Sequence, residues 1–236
     1  MTKQAQFWSG VRAGIPVILG FIPVGIAYAI MARQAGLSVL ETSLMSLTVF
    51  AGASQMMAAG MIAKGAGILA MILTTFILNL RHVIMSTCVF NRMKDGNAPT
   101  RLALSFGVTD ESFSIFTTVQ GGHCTTFFFL GLILSTWGSW NVGTLIGAIL
   151  SDFLPTVITA SLGISLYAMF IALLLPALKG NLRLALLLLL TAGCNTLFNL
   201  FLDSSWALIL STLLGAFLGV FFVELDPEAP PKEVEI

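Results

Sequence analysis

A chain of 236 residues that is 57% hydrophobic and only 9% charged carries too few solvating side chains for an ordinary water-soluble domain, where roughly a quarter of residues are charged. Eleven Lys and Arg offset eleven Asp and Glu, and no basic block runs along the sequence, which excludes a nucleic acid partner. The class that remains is an all-α, polytopic helical membrane protein, built from uncharged stretches of the roughly 20 residues that cross a bilayer.

Residues 1–10 lack the apolar core and small-residue cleavage site of a signal peptide, so the mature chain is expected to start near Met1, with the first apolar segment directing insertion. That segment is 13–32, interruptible at Pro16 and Pro23. Residues 42–63 form a second, and 65–90 a third if Arg81 and His82 are tolerated inside it. Residues 102–120 are the weakest candidate. Between Ser112 and Ser151, and again from Phe153 to Leu178, there is no Asp, Glu, Lys or Arg, so the region must hold more than one crossing, with 141–151 as a short segment before a break at Pro155 and a full one after it. Residues 184–202 and 204–223 close the membrane part as a hairpin around Asp203. The sum is about seven or eight transmembrane segments, some interrupted or re-entrant, in one domain, 1–223. Residues 224–236 read as a disordered, acidic, Pro-rich tail. Cys88, Cys124 and Cys194 lack paired spacing and read as small core residues, and no metal site is expected.

Orientation follows from positive charge. Arg92, Lys94 and Arg101 form the strongest cluster, Lys179 and Arg183 a second, and Lys3 and Arg12 a third near the N-terminus. Three apparent crossings separate Lys3 from Arg92, so the clusters reach one side only if an early segment is re-entrant.

Asp110 and Glu111 stand at the centre of 102–120. An ionised group at mid-bilayer costs at least ~2.5–3.5 kcal/mol, so two adjacent carboxylates there point to function; a solvated surface helix is the alternative. On a continuous helix Asp110 shares a small, polar face with Ala103, Gly107, Ser114, Thr117 and Gly121, and Glu111 sits on an apolar one. In the third segment Thr75, Asn79, His82 and Ser86 make a polar stripe, with Arg81 off it. The spacing predicts an Arg81–Glu111 ion pair, with interfacial snorkelling of Arg81 and His82 as the alternative. Thr191, Asn195, Asn199 and Asp203 recur every four residues and read as interhelical hydrogen-bonding groups. Asp152, beside Pro155, is a second candidate proton site.

Ala51-Gly52-Ala53-Ser54-Gln55 puts a polar pair on a glycine break in the second segment. Small residues also permit plain close packing, but half-helix ends of this kind hold substrates in transporters. No nucleophile elbow, metal-ligand spacing or phosphate loop is present, so neither an enzyme nor a cofactor is expected, and ATP-driven transport by this chain alone is excluded. A secondary transporter is the favoured reading. A channel, or a structural subunit of a membrane complex, is the alternative.

Gly14-Ile15-Pro16 through Pro23-Val24-Gly25, Ala51 to Gln55, Leu78-Asn79-Leu80-Arg81-His82 and Thr109-Asp110-Glu111-Ser112 together resemble the AzlC family, the large subunits of branched-chain amino acid exporters. The resemblance spans nearly the whole chain to Val223. It implies export of valine, leucine, isoleucine and similar amino acids across a bacterial inner membrane, with a small AzlD-type membrane partner. A zwitterion then calls for a carboxylate site near Gly52, Ser54 and Gln55 and an ammonium site near Asp110, with Asn79 and His82 lining the same cavity. Asp110 or Glu111, with His82 and Asp152 as further titratable groups, would couple export to protons.

Overall fold

A computed structural model describes residues 2–119, 124–151, 153, 171, 175, 178, 181–202 and 204–222. The described residues are helical, and they fall in two compact units that divide between Met169 and Phe170. Asp152, Asp203, the break at Pro155 and the tail 224–236 lie outside the described residues.

In the first unit, α1 (Lys3–Ala13) and α2 (Ile15–Gln34) meet at Gly14. α2 continues through Pro23, so the interruption expected there is absent. Pro16 lies in the first turn, where its missing N–H has no intrahelical partner to lose, and an apolar helix held by neighbours absorbs Pro23. α3 (Val39–Val49) starts from a capping box in which Ser38 Oγ accepts from Glu41 N–H at 3.2 Å and Glu41 Oε2 accepts from Ser38 N–H at 2.7 Å. It stops at Phe50, whose φ of 42° is left-handed, and α4 (Gly52–Ala63) begins two residues later. α5 (Ile68–Arg92) is continuous, so Arg81 and His82 sit inside a helix and not at its end. α6 (Ala98–Ser105) is capped by Asn97, with Pro99 in its first turn. α7 (Asp110–Thr118) opens from Thr109. α8 (Thr126–Leu150) is one helix of 25 residues, so 141–150 is its last part, not a separate crossing. α2, α5 and α8 are the helices among the described residues long and apolar enough to cross a membrane.

Side-chain contacts fix the directions of these elements. Glycines let α1 and α2 run backbone to backbone along α8. A Cβ added at Gly10 would strike Phe128 O, one at Gly131 Phe7 O, and one at Gly143 Ile22 O; at Gly147 it would stand 2.6 Å from Ile26 O. Arg33 Nε donates to Ser151 Oγ at 3.3 Å. Along α2 the contacts advance together from Ile22–Gly143 through Ile26–Gly147 to Arg33–Ser151, and α2 and α8 are parallel. α3 runs back the other way: Tyr28 Oη donates to Thr42 O at 3.3 Å, Ser46 and Thr144 hydroxyls are 2.8 Å apart, and Phe50 meets Phe21 edge-on at 6.2 Å. α4 reverses again, from Gly52 against the Trp140 ring to Gln55 beside Tyr28. α3 and α4 are therefore the two arms of a hairpin that enters and leaves at the α2 C-terminal end.

α6 and α7 form a second hairpin, from the opposite end. α5 finishes beside the start of α8, where Lys94 N–H donates to Cys124 O at 3.0 Å and Thr126 N–H to Asp95 Oδ1 at 2.6 Å. α6 rises from there to Gly107, against Ile133. α7 descends, packing Phe116 on Phe129 at 4.9 Å, and Arg92 Nη2 reaches Val119 O at 2.7 Å. One buried cluster around Phe21, Tyr28, Phe50 and Trp140 clasps the first hairpin, and another around Val89, Phe116, Phe128 and Phe129 clasps the second.

Residues 42–63 and 102–119 thus each fold back as a hairpin and do not run through. This brings the first two charge clusters together, because Lys3, Lys94 and Arg101 all lie at the end where α8 begins, with Lys3 Nζ 5.2 Å from the Phe127 ring; Lys179 lies outside the described residues.

In the second unit α9 (Leu182–Phe198) and α10 (Ser204–Phe222) pair. Asn195 Nδ2 donates to Ser211 Oγ at 3.1 Å, and Gly215 makes room for Thr191. Thr191 and Asn195 thus face the partner helix, whereas Asn199 turns back to Asn195 O at 2.9 Å.

Candidate functional site

The two hairpin tips meet. Phe50 and Phe106, the residues that end the ascending arms, have ring centroids 6.2 Å apart. Two helix N-termini, of α4 and α7, and two C-termini, of α3 and α6, converge at this level, so both signs of helix-end partial charge are available in one place. The ends differ. α7 is capped, with Thr109 Oγ1 accepting from Ser112 N–H at 3.3 Å and Ser112 Oγ from Thr109 N–H at 2.8 Å. α4 has no side-chain cap, so the donors of its first turn are left for another partner.

α5 joins both tips at its midpoint. Ser54 Oγ donates to Asn79 Oδ1 at 2.8 Å. His82 Nδ1 is 2.8 Å from Val108 O, and because a carbonyl only accepts, Nδ1 carries the proton. Arg81 Nη1 is 3.0 Å from Asp110 Oδ2. The stripe of Asn79 and His82 thus touches the first tip through one residue and the second through the other.

The ion pair differs from the expected one. Arg81 pairs with Asp110, not with Glu111, because 102–120 is not one helix. The chain breaks after Ser105, so Asp110 becomes the first residue of α7 and is turned to α5. The face expected to run from Ala103 through Asp110 to Thr117 is divided at the same point. Glu111 is buried, 6% exposed, and has no ion-pair partner among the described residues.

Buried polar groups line the first hairpin. Gln55 is fully buried beside the Tyr28 hydroxyl, and Trp140 Nε1 and Thr42 Oγ1 are buried without a hydrogen bond. A buried polar atom left unpaired costs about 1–3 kcal/mol. Gly52, Ser54, Gln55, Asn79, His82, Asp110 and Glu111 therefore all belong to one junction. Asp152 lies outside the described residues.

Tyr28, Phe50, Phe106 and Trp140 were not legible as site residues. Trp140 stacks on Tyr28 at 5.9 Å and meets Phe21 edge-on at 5.4 Å. No short motif marks such a ring in a chain with 10% aromatic residues.

The Ser54–Asn79 bond is expected to tie the first tip to α5. In a double-mutant cycle of Ser54→Ala and Asn79→Ala, thermal unfolding should return a coupling of about 1 kcal/mol. Strictly additive losses would show that the contact carries no energy.

A family model described as AzlC protein matches residues 16–154, the span that holds both hairpins and all three long helices. The chain is 33% identical to an uncharacterised membrane protein of Archaeoglobus fulgidus over 77% of this chain and 80% of that one. It is 32% identical to inner membrane protein YgaZ of Escherichia coli over 75% of each. It is 30% identical to the branched-chain amino acid transport protein AzlC of Bacillus subtilis over 65% of this chain and 62% of that one. No solved structure matches.

Proposed function

The chain belongs to the AzlC family of membrane proteins, and from that premise we propose that it is a secondary transporter exporting branched-chain and similar apolar amino acids. The supporting observation is the junction itself: two half-helix tips, inserted from opposite ends, meet around Asn79, Arg81 and Asp110 at the middle of α5. Non-helical backbone at membrane depth is tolerated where it is enclosed by protein or lines a cavity, and transporters place substrates at such breaks. Gly52, Ser54, Gln55, Asn79 and Asp110 form the proposed substrate site, with Phe106 adding apolar surface.

Export by proton antiport needs a group that gains and loses a proton as the site changes side. Glu111 suits this better than Asp110, whose charge Arg81 already balances; His82, bonded to the second tip, is the next candidate. The end carrying Lys3, Lys94 and Arg101 is cytoplasmic in this reading, by the positive-inside rule, in a bacterial inner membrane. The relative of that name in Bacillus subtilis is a branched-chain amino acid transport protein. A small AzlD-type subunit would complete the exporter.

The test is counterflow of radiolabelled leucine in proteoliposomes, with and without the small subunit. Saturable exchange is expected, and a passive pore would give none. Glu111→Gln should keep exchange, which moves no net protons, and lose leucine efflux driven by a pH gradient. Unchanged gradient-driven efflux would remove Glu111 from the coupling role.

A further inference from the structure

We infer that the Arg81–Asp110 ion pair is the empty form of a zwitterion site, into which an α-amino acid exchanges by placing its ammonium on Asp110 and its carboxylate on Arg81. The inference rests on the transport reading and specifies how the substrate is held. Asp110 is the acid nearest the tips, but its carboxylate is already in contact with a guanidinium at 3.0 Å. An ammonium reaches it only by displacing Arg81, and the displaced guanidinium then needs an anion.

Opening the pair without replacing both charges leaves one of them bare inside a membrane protein, a cost that partial exposure lowers but does not remove. A simple amine supplies one replacement and leaves Arg81 bare; a simple carboxylic acid leaves Asp110 bare. A zwitterion supplies both, so the exchange conserves every charge contact. The pair is also partly open, with side chains 38% and 29% exposed, unlike the sealed Ser46–Thr144 contact between α3 and α8. The guanidinium meets Asp110 through Nη1 and carries five N–H donors in all, enough for a second carboxylate oxygen. Half-exposed Phe106, four residues before Asp110 at the same break, offers surface to an apolar side chain. The carboxylate thereby moves from the α4 tip, where the sequence placed it, to Arg81.

The experiment is leucine counterflow by the full chain in proteoliposomes, competed with isopentylamine, which lacks the carboxylate, and isocaproate, which lacks the ammonium. Neither should compete at about hundredfold excess over leucine. In the double variant Arg81→Gln with Asp110→Asn, leucine should bind about 10- to 100-fold more weakly, and discrimination against both analogues should collapse. The charge-reversed variant, Arg81→Asp with Asp110→Arg, keeps a pair and guards against misfolding of the neutral one. A purely structural bridge would tolerate the reversal, whereas a zwitterion site loses leucine exchange because the substrate is presented backwards. Full discrimination in Arg81→Gln would return the carboxylate to the α4 tip and overturn the inference, as would competition by isopentylamine in the wild type. Absence of any leucine exchange by the wild type, with the small subunit present, would instead refute the transport reading itself.

Discussion

Gly143→Leu is expected to lower the thermal midpoint of the detergent-solubilised protein by about 10 °C, the equivalent of about 3 kcal/mol in a chain of this size. The reason is that the nearest atoms to an added Cβ are the backbone of Ile22, its carbonyl oxygen and Cα, and not a side chain that can rotate away. α2 and α8 would have to separate along the line that also contains the Gly25–Trp140 and Gly147–Ile26 contacts. In a bilayer no hydrophobic force draws helices together, so lost van der Waals contact is lost stability. Gly138→Leu supplies the control, since it lies on the same helix with nothing within 4 Å of its added Cβ, and it should shift the midpoint by little. Equal shifts for the two variants would show that the glycine seam does not hold this unit together.

Gly52→Ala should reduce leucine exchange at least about tenfold while leaving most of the stability intact, since a displacement near 1 Å is enough to spoil a positioned site. The added methyl would stand 2.8 Å from Trp140 Cη2 and 3.3 Å from Cζ2 and Cζ3. Trp140 cannot yield easily, being buried and held between Tyr28 and Phe21, so the hairpin tip moves instead. That tip is already confined, because Phe50 occupies the left-handed region, which non-glycine residues rarely adopt. Adding Trp140→Phe removes the part of the ring that the methyl meets, and exchange is expected to recover. A Gly52→Ala variant with normal exchange would show that tip placement does not limit transport.

The apolar runs were readable because period and composition suffice for a long buried helix: α2 and α5 fall within two or three residues of the sequence boundaries, and the α9–α10 pair is where Leu184 onward suggested. The broken segments were harder. Residues 42–63 and 102–120 have a spanning length, and length alone does not distinguish a crossing from a hairpin whose arms each cover half the depth. The signals were local and lay in caps. Ser38-x-x-Glu41 starts a helix, Asn97-Ala98-Pro99 starts another, and Thr109-x-x-Ser112 restarts one inside the segment that looked continuous. With the restart at Thr109 recognised, Asp110 falls at a helix N-terminus and the Arg81–Glu111 pairing loses its basis. The three charge clusters pointed the same way, since they agreed only if an early segment re-entered. The aromatic contacts at the tips were out of reach, because Phe50–Phe106 and Gly52–Trp140 join residues that only the folded hairpins bring together.

The second consequence of the caps is electrostatic. Thr109 and Ser112 satisfy the first turn of α7, while α4 opens on Ala51 and Gly52 with nothing to cap it. The two tips are therefore unequal, and the uncapped one carries the buried Gln55 in its first turn.

The arrangement of two hairpins entering from opposite ends is tested most directly by side-specific thiol labelling of single cysteines at the exposed positions Gln4, Ser38, Lys64 and Lys94, in a background without Cys88, Cys124 and Cys194. Positions 38 and 64 should react from one face of the membrane, and 4 and 94 from the other. Labelling of 38 and 64 from opposite faces would make residues 42–63 a crossing, and would separate the tips on which the site depends.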